Sequence, residues 1–437
     1  MNTSAAGLTV ESARHRFVLL TALRWLPIGI SIPVTVLLAS SRGLSPADIG
    51  LVFAAHSVTA MLLELPTGGL ADAIGRRPVL VLSALLQIAG LLTIAVAPGL
   101  LMFAVALSLV GAGRALDSGP LESWYVDAVH LLDEGADVTP GLAQASVADG
   151  AGLALGTVVG GVAPLLASRL GGSDALMLPF LLAAGLTVVY LIGVVVLVVP
   201  IGPGISTASG RAIGAAMRSV PTILRDTMTL AARDRTLRQL LVITYLVGIV
   251  LTALELIGPL RIAELTGSRA QGTAVFGVVM AVSFTAAALG AGLATSTRRL
   301  ARGSVALASA AGFGLCALAV TAVALSPMVV ALGIAYACFY LFNATGWPLR
   351  QELMHSRVDA ARRSTTVSAA SFALMIGGIT GNLLLPRLAE ATSLTVALHV
   401  AALPLLLGAV LSLRLRSAAP RTELGSGLSA PVVNRSG

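Results

Sequence analysis

The sequence predicts an all-α membrane protein of twelve transmembrane helices, arranged six and six around a polar middle segment, and three observations carry that prediction. The first is composition. Of the 437 residues 56% are hydrophobic and only 11% charged, with a mean hydropathy of +0.93. A soluble domain is nearer half apolar and a quarter charged, so most of this surface must face something other than water. The second is spacing. Apolar runs long enough to cross a bilayer alternate with short polar segments, and twelve spans of about 20 residues use roughly 240 residues and leave only short connections. The third is where the arginines fall, taken up below.

In chain order the spans read as 17–39, 47–67, 78–97, 100–122, 146–168 and 175–199, then 238–258, 272–294, 304–325, 327–347, 365–386 and 393–413. Asp149 near its start leaves the fifth the least sharply bounded. Helices rather than strands follow from the backbone: an open sheet would leave amides unpaired in hydrocarbon, and no strand alternation recurs at barrel length. The chain is expected to divide into a cytoplasmic N-terminal segment (1–16), a six-helix half (17–199), a cytoplasmic linker (200–237), a second six-helix half (238–413) and a Ser/Pro/Gly-rich disordered tail (414–437). No A-x-A-like site follows the first apolar run, so a retained span is expected rather than a cleaved signal peptide. In the linker six arginines between 211 and 238 alternate with apolar residues, which suits short helices on the inner membrane surface.

All 28 basic residues are arginine. With both termini inside, 21 of them fall in cytoplasmic segments, 5 on the opposite side, and Arg24 and Arg114 within spans. That asymmetry orients the chain with both ends in the cytoplasm. The net charge of +8 punctuates apolar runs rather than gathering on a soluble module, so lipid headgroups are its expected partner and nucleic acid is not. Cys316 and Cys338 lie in apolar runs without a ligand cluster and read as packing residues, and neither metal nor cofactor is called for.

Between the second and third spans the chain reads Gly68-Gly69-Leu70-Ala71-Asp72-Ala73-Ile74-Gly75-Arg76-Arg77-Pro78. Two glycines suit a tight turn with close helix approach, and an acid and two arginines set opposite charges at the membrane edge. This segment resembles the loop motif of the major facilitator superfamily, G-x-x-x-D-R/K-x-G-R-R/K-R/K. Gly68, Asp72, Gly75, Arg76 and Arg77 occupy motif positions, while Ala73 and Pro78 depart from its first and last basic residues. With the six-plus-six pattern the resemblance covers about 15 to 415. It implies two pseudo-symmetric six-helix bundles with a central cavity exposed alternately to either side. It also implies a conformational latch, in which Asp72 touches the other half near the eleventh span and Arg76 pairs with Asp127. The loop after the eighth span, 290–299, keeps small residues and arginines but no aspartate, so the latch is expected to depend more on the first half.

Gly152, Gly156, Gly160 and Gly161 put small residues on one face of the fifth span, which predicts close helix packing. Exporters of the drug/proton antiporter groups carry a glycine-rich element here, but its Gly-Pro order is missing: Pro164 follows the paired glycines. The fourth span is the densest ionisable stretch. Arg114 and Asp117 share one face and Ser118 and Glu122 another, and charges inside a bilayer should meet a cavity or a partner. Arg114 resembles the fourth-helix arginine tied to proton coupling in many exporters, although Gly119 stands five rather than four residues on. The alternative for Arg114 and Asp117 is a structural ion pair, and Glu122 suits gating or packing.

Arg24 is placed to meet an anionic substrate or an acid such as Glu64, and His56 to titrate or simply to pack. Glu255, ahead of Gly258-Pro259, is the one clear acid within the second half's spans and the candidate proton carboxylate. Tyr336, Tyr340, Asn343 and Asn382 are candidates for a polar and aromatic cavity face. No nucleotide-binding loop, HExxH, zinc spacing or nucleophile elbow is present, so neither an ATP-driven pump nor an enzyme is predicted. The expectation is a monomeric secondary transporter of a bacterial inner membrane, moving a small-molecule substrate against protons as an efflux carrier of drug-like or amphiphilic solutes. The rivals are proton-coupled import of a nutrient or metabolite and a nontransporting scaffold or sensor.

Overall fold

The computed structural model describes residues 8–169, 174–200, 234–357 and 363–415, without the side chains of 65–69, 72, 73 and 363–365. The predicted linker helices over 201–233, the tail from 416 and residues 1–7 lie outside the described residues, as do the side chains at Gly68 and Asp72. Among the described residues twelve helices are long and apolar enough to cross a membrane. They are α1 (Val10–Ser41), α2 (Pro46–Ile74), α3 (Arg76–Val96), α4 (Leu100–Leu132), α5 (Thr139–Arg169), α6 (Ala175–Leu197), α7 (Arg235–Thr266), α8 (Arg269–Gly292), α9 (Val305–Leu325), α10 (Val329–Ser356), α11 (Arg363–Ala391) and α12 (Leu394–Leu413).

The boundaries follow local chemistry. Thr9 and Ser12 make a reciprocal capping box at the start of α1, and Ser45 and Asp48 another at the start of α2, where Pro46 occupies the first turn. Gly75, at φ 91°, makes the turn between α2 and α3, in the left-handed region that favours glycine. Two spans are broken. The fourth stops at Asp117, turns through Gly119 at φ 98° and resumes at Pro120. The seventh contains a π-helical turn over Ala253–Ile257, directly before Gly258-Pro259.

Packing repeats between the halves. In the first half α1 packs on α5 and α6, α3 on α4 and α6, and α2 on α4. In the second half α7 packs on α11 and α12, α9 on α10 and α12, and α8 on α10, which is the same set displaced by six helices. The principal contacts between halves are α5 with α8 and α2 with α11, again one pair carried into the other by that displacement. These are the two pseudo-symmetric bundles that the family resemblance implied.

The halves touch closely on the distal side, the face opposite that where α1 begins and α12 ends. A Cβ on Gly161 would stand 2.7 Å from the Thr273 carbonyl oxygen and 3.0 Å from the Gly277 Cα, and one on Gly50 would strike the Asn382 carbonyl. The Ala47 amide donates to Glu390 Oε2 at 3.2 Å. Small residues here let backbones approach as no larger side chain would allow.

Candidate functional site

A cavity of about 540 Å³ lies between the halves, within the range of small-molecule sites. Trp25 comes to it from α1, His56 from α2, Arg114 from α4, Asp149 from α5, Glu255 from α7 and Asn382 from α11. Both halves therefore supply polar groups to one space.

The first half's wall is a charge cluster with one locked pair. Arg24 Nε lies 3.0 Å from Asp117 Oδ2, and the Tyr190 hydroxyl donates to Asp117 Oδ1 at 3.1 Å. With both carboxylate oxygens engaged, Asp117 is buried at 3% exposure. Its partner is thus Arg24 from α1, not Arg114 one turn back, because Asp117 ends the first segment of α4 and its side chain turns toward α1 and α6. Arg114 instead projects into the cavity and makes no ion pair among the described residues. The Arg24 and Arg114 guanidinium carbons stand 5.0 and 5.5 Å from the Trp25 ring centroid, cation–π distances that hold the indole at the cavity wall. His56 Nδ1 lies 2.9 Å from the Leu107 carbonyl oxygen, so that nitrogen is the donor and Nε2 is left as the acceptor.

The second half's wall is sparser. Glu255 sits in the π-helical turn, an element found preferentially at functional sites. It lies deep within the protein, yet its side chain is open to the cavity and makes no ion pair among the described residues. The turn is held from behind. Pro259 has no amide hydrogen to donate, and the Tyr336 hydroxyl donates to the Leu254 carbonyl at 2.9 Å.

The other sequence candidates lie elsewhere. Tyr336 is fully buried behind the turn, and Tyr340 packs edge-on against Phe284 and Phe339; neither is among the cavity-lining residues, and nor is Asn343. Glu122 is exposed on the second segment of α4. Gly152, Gly156 and Gly160 seat α5 on α1, where a Cβ on Gly156 would stand 2.8 Å from the Gly29 Cα, while Gly161 faces α8. Arg76 pairs with Asp127 at 2.7 Å and Arg77 donates to the Val195 carbonyl. Matching the first of these, Arg298 pairs with Glu352 at 2.9 Å in the second half. The sequence reading passed over Trp25 and Asp149 as cavity residues and missed Glu352. A tryptophan beside an intramembrane arginine was the available signal for the first.

The family model of the Major Facilitator Superfamily matches residues 17–381. None of the curated proteins matches the sequence. Among solved structures, the nucleoside transporter NupG is 16% identical with a TM-score of 0.70, covering 92% of this chain and 98% of that one. A bacterial homolog of the human lysosomal transporter Spinster, in an inward-facing and occupied conformation, is 14% identical with a TM-score of 0.71, covering 92% and 96%. A structure from work on substrate recognition in proton-dependent oligopeptide transporters is 15% identical with a TM-score of 0.67, covering 92% and 98%. At such identities the likeness is one of fold.

Proposed function

Because the chain belongs to the Major Facilitator Superfamily and is a multi-pass secondary transporter, we propose that it carries a small water-soluble metabolite into the cytoplasm together with protons, by alternating access of the cavity between its halves. The observation that carries this reading is the opposition of Arg114 and Glu255. They project into one cavity from two halves that are joined closely on the distal side, so a change in charge at either alters what holds the halves together. The arginine distribution makes the distal side extracytoplasmic, and the arrangement described is then inward-facing.

Glu255 is the proton-exchanging group in this reading, and Asp117 is not, because its two oxygens are already engaged. The loop from Gly68 to Arg77, with the Arg76–Asp127 pair, serves as a conformational latch at the cytoplasmic face, and the Arg298–Glu352 pair gives the second half a counterpart. The carrier acts as a monomer in the inner membrane, with halves over 17–199 and 238–413.

Import is preferred to efflux. The likeness to nucleoside and proton-dependent oligopeptide transporters, whose named cargoes are water-soluble metabolites, supports nutrient movement more than drug export. The efflux expectation rested on the intramembrane carboxylates, a sparsely polar cavity and partial exporter motifs, and of those motifs the glycines of α5 serve packing against α1 and α8. The test is accumulation of a panel of nucleosides, peptides, organic acids and lipophilic dyes, in right-side-out and inside-out vesicles under an imposed proton gradient. Loading of a metabolite into right-side-out vesicles, driven by an inward gradient, is the expected result. Gradient-driven loading confined to inside-out vesicles would restore efflux.

A further inference from the structure

We infer that the substrate is a zwitterion, an apolar amino acid or a dipeptide of such residues, whose carboxylate is received by Arg114 and whose ammonium is received by Asp149. The inference rests on the transport reading above and names its cargo. Among the described residues three charged side chains line the cavity, Arg114, Asp149 and Glu255, and none of them is in an ion pair. Arg24 and Asp117 lie outside that lining and close on each other at 3.0 Å. Glu255 comes from the second half and is the proton-exchanging group of the transport reading. What the first half presents is a cation and an anion that face one space and do not meet.

Trp25 lies between them. The Arg114 guanidinium carbon stands 5.5 Å from the centre of the indole ring, while a Cβ on Gly152 would stand 3.2 Å from the Trp25 Cβ. Asp149 precedes Gly152 by three residues, on the same face of α5 and one turn nearer the cytoplasm. The guanidinium therefore belongs to the ring of Trp25 and the carboxylate to its stem. Each is fixed in direction by a neighbour on its own helix. Leu153, one turn beyond Asp149, shares the cavity lining with it. One turn before Arg114, a Cβ on Gly111 would stand 3.0 Å from His56 Nδ1, the nitrogen that the Leu107 carbonyl holds. On the opposite wall Asn382 is 5% exposed and lines the cavity, yet its carboxamide makes no hydrogen bond among the described residues.

Opposite charges held apart inside a bilayer are each costly until something compensates them. A monoanion would compensate Arg114 and leave Asp149, a monocation would do the reverse, and a neutral solute would satisfy neither. A zwitterion lays one of its own charges against each. The guanidinium fork matches a carboxylate, and an ammonium supplies three donors to the Asp149 oxygens. When a proton from the extracytoplasmic solution forms an O–H bond on the Glu255 carboxylate, no charge in the loaded cavity is left over. Phe53, Met280 and Phe284 supply apolar wall for the side chain, and about 540 Å³ admits either an amino acid or a dipeptide. The Asn382 carboxamide offers one donor group and one acceptor, the complement of a peptide group, so a dipeptide is the fuller match.

The test is direct binding to the full-length protein in detergent, which is blind to transport direction. The probes are leucine, phenylalanine, leucyl-leucine and alanyl-phenylalanine, each with its C-terminal amide and its N-acetyl derivative, together with benzoate, phenethylamine and uridine. The readout is the thermal midpoint against ligand concentration. The expected result is saturable stabilisation by at least one zwitterion, with the amide and the N-acetyl form each weaker by about tenfold or more. Whichever of amino acid and dipeptide binds more tightly sets the spacing between the charges, and either supports the inference. Arg114→Gln should abolish the preference for free carboxylate over amide and keep the preference for free ammonium over N-acetyl. Asp149→Asn should do the opposite, and Glu122→Gln, outside the cavity, should change neither. Blocked forms that bind as well as the zwitterion, tighter binding of benzoate, phenethylamine or uridine, or no saturable binding by any zwitterion would overturn the inference. So would loss of the ammonium preference in Glu255→Gln with its survival in Asp149→Asn. Zwitterion binding without gradient-driven flux in vesicles would leave the substrate class standing and remove the import reading; gradient-driven uptake of other metabolites alone would do the reverse.

Discussion

Two intramembrane carboxylates, Asp117 and Glu255, look alike in sequence and differ in every physical respect that bears on function. Asp117 closes a segment of α4 with one oxygen on Arg24 and the other on the Tyr190 hydroxyl, shut away from the cavity. Glu255 stands in a π-helical turn whose backbone is secured by Tyr336, and its carboxylate is left open to the cavity. A carboxylate whose acceptors are filled fixes structure, and one without a fixed partner can exchange a proton or a counter-charge. The halves divide the work accordingly. The first presents a rigid charged wall, the second a single acid on a broken helix.

The sharpest way to break this comparison is to neutralise each acid in turn. Asp117→Asn leaves the Arg24 guanidinium inside the membrane without its counter-charge, and removing one partner of a buried pair costs about 3 kcal/mol or more. The thermal midpoint of the purified protein should fall steeply. Glu255→Gln removes no fixed partner and should leave that midpoint unchanged or higher while proton-driven transport is lost. Equal destabilisation by the two would erase the distinction.

Next in size is the seal between halves. Gly277→Val places a branched side chain against the Thr157 carbonyl and Gly161, and overpacking of this kind costs about 1 to 3 kcal/mol. The distal seal should open, so cross-linking of an Ala47→Cys, Glu390→Cys pair should drop relative to the same pair in the parent background. Undiminished cross-linking would mean that the α5–α8 contact does not hold the closed side.

Smaller is Tyr336→Phe, which removes the hydroxyl satisfying the Leu254 carbonyl and should cost about 1 kcal/mol in thermal stability. Because Tyr336 is behind the turn rather than in the cavity, substrate affinity should change less than stability does. A large loss of affinity with stability intact would move Tyr336 into the binding face. Smallest is Arg298→Gln: its pair with Glu352 is solvent-facing and worth less than about 1 kcal/mol, so stability should barely register it. Any effect should be on the rate of switching between states, measured alongside Arg76→Gln.

The architecture was legible because bilayer physics writes itself into sequence. Span length, arginine asymmetry and the turn at Gly75 are properties of local composition, and the structure adds mainly the extra turns by which helices such as α1, α2 and α10 outrun their apolar cores. The site was legible in part. Arg114, His56, Glu255 and Asn382 could be named because polar residues in apolar runs are conspicuous, and all four line the cavity. What pairs with what was not. Helical spacing ties Arg114 to Asp117, but the break at Ser118-Gly119 turns Asp117 toward Arg24, 93 residues away, and no local rule reports a contact at that separation. Tyr336 and Tyr340 share a helical face, yet which neighbour that face meets is decided by α7 and α8, not by α10. Glu352 escaped because the second loop lacks the aspartate that marks the first, although the arginine and its partner on the following even-numbered span persist.

The measurement that bears most directly on the central contrast is infrared difference spectroscopy of the purified protein between acidic and alkaline pH, reading the carbonyl band of protonated carboxylic acids in the parent, Glu255→Gln and Asp117→Asn. A titrating band that disappears with Glu255→Gln and survives Asp117→Asn is the predicted result. A band that survives Glu255→Gln and is lost with Asp117→Asn would place the exchangeable proton in the first half and contradict the account.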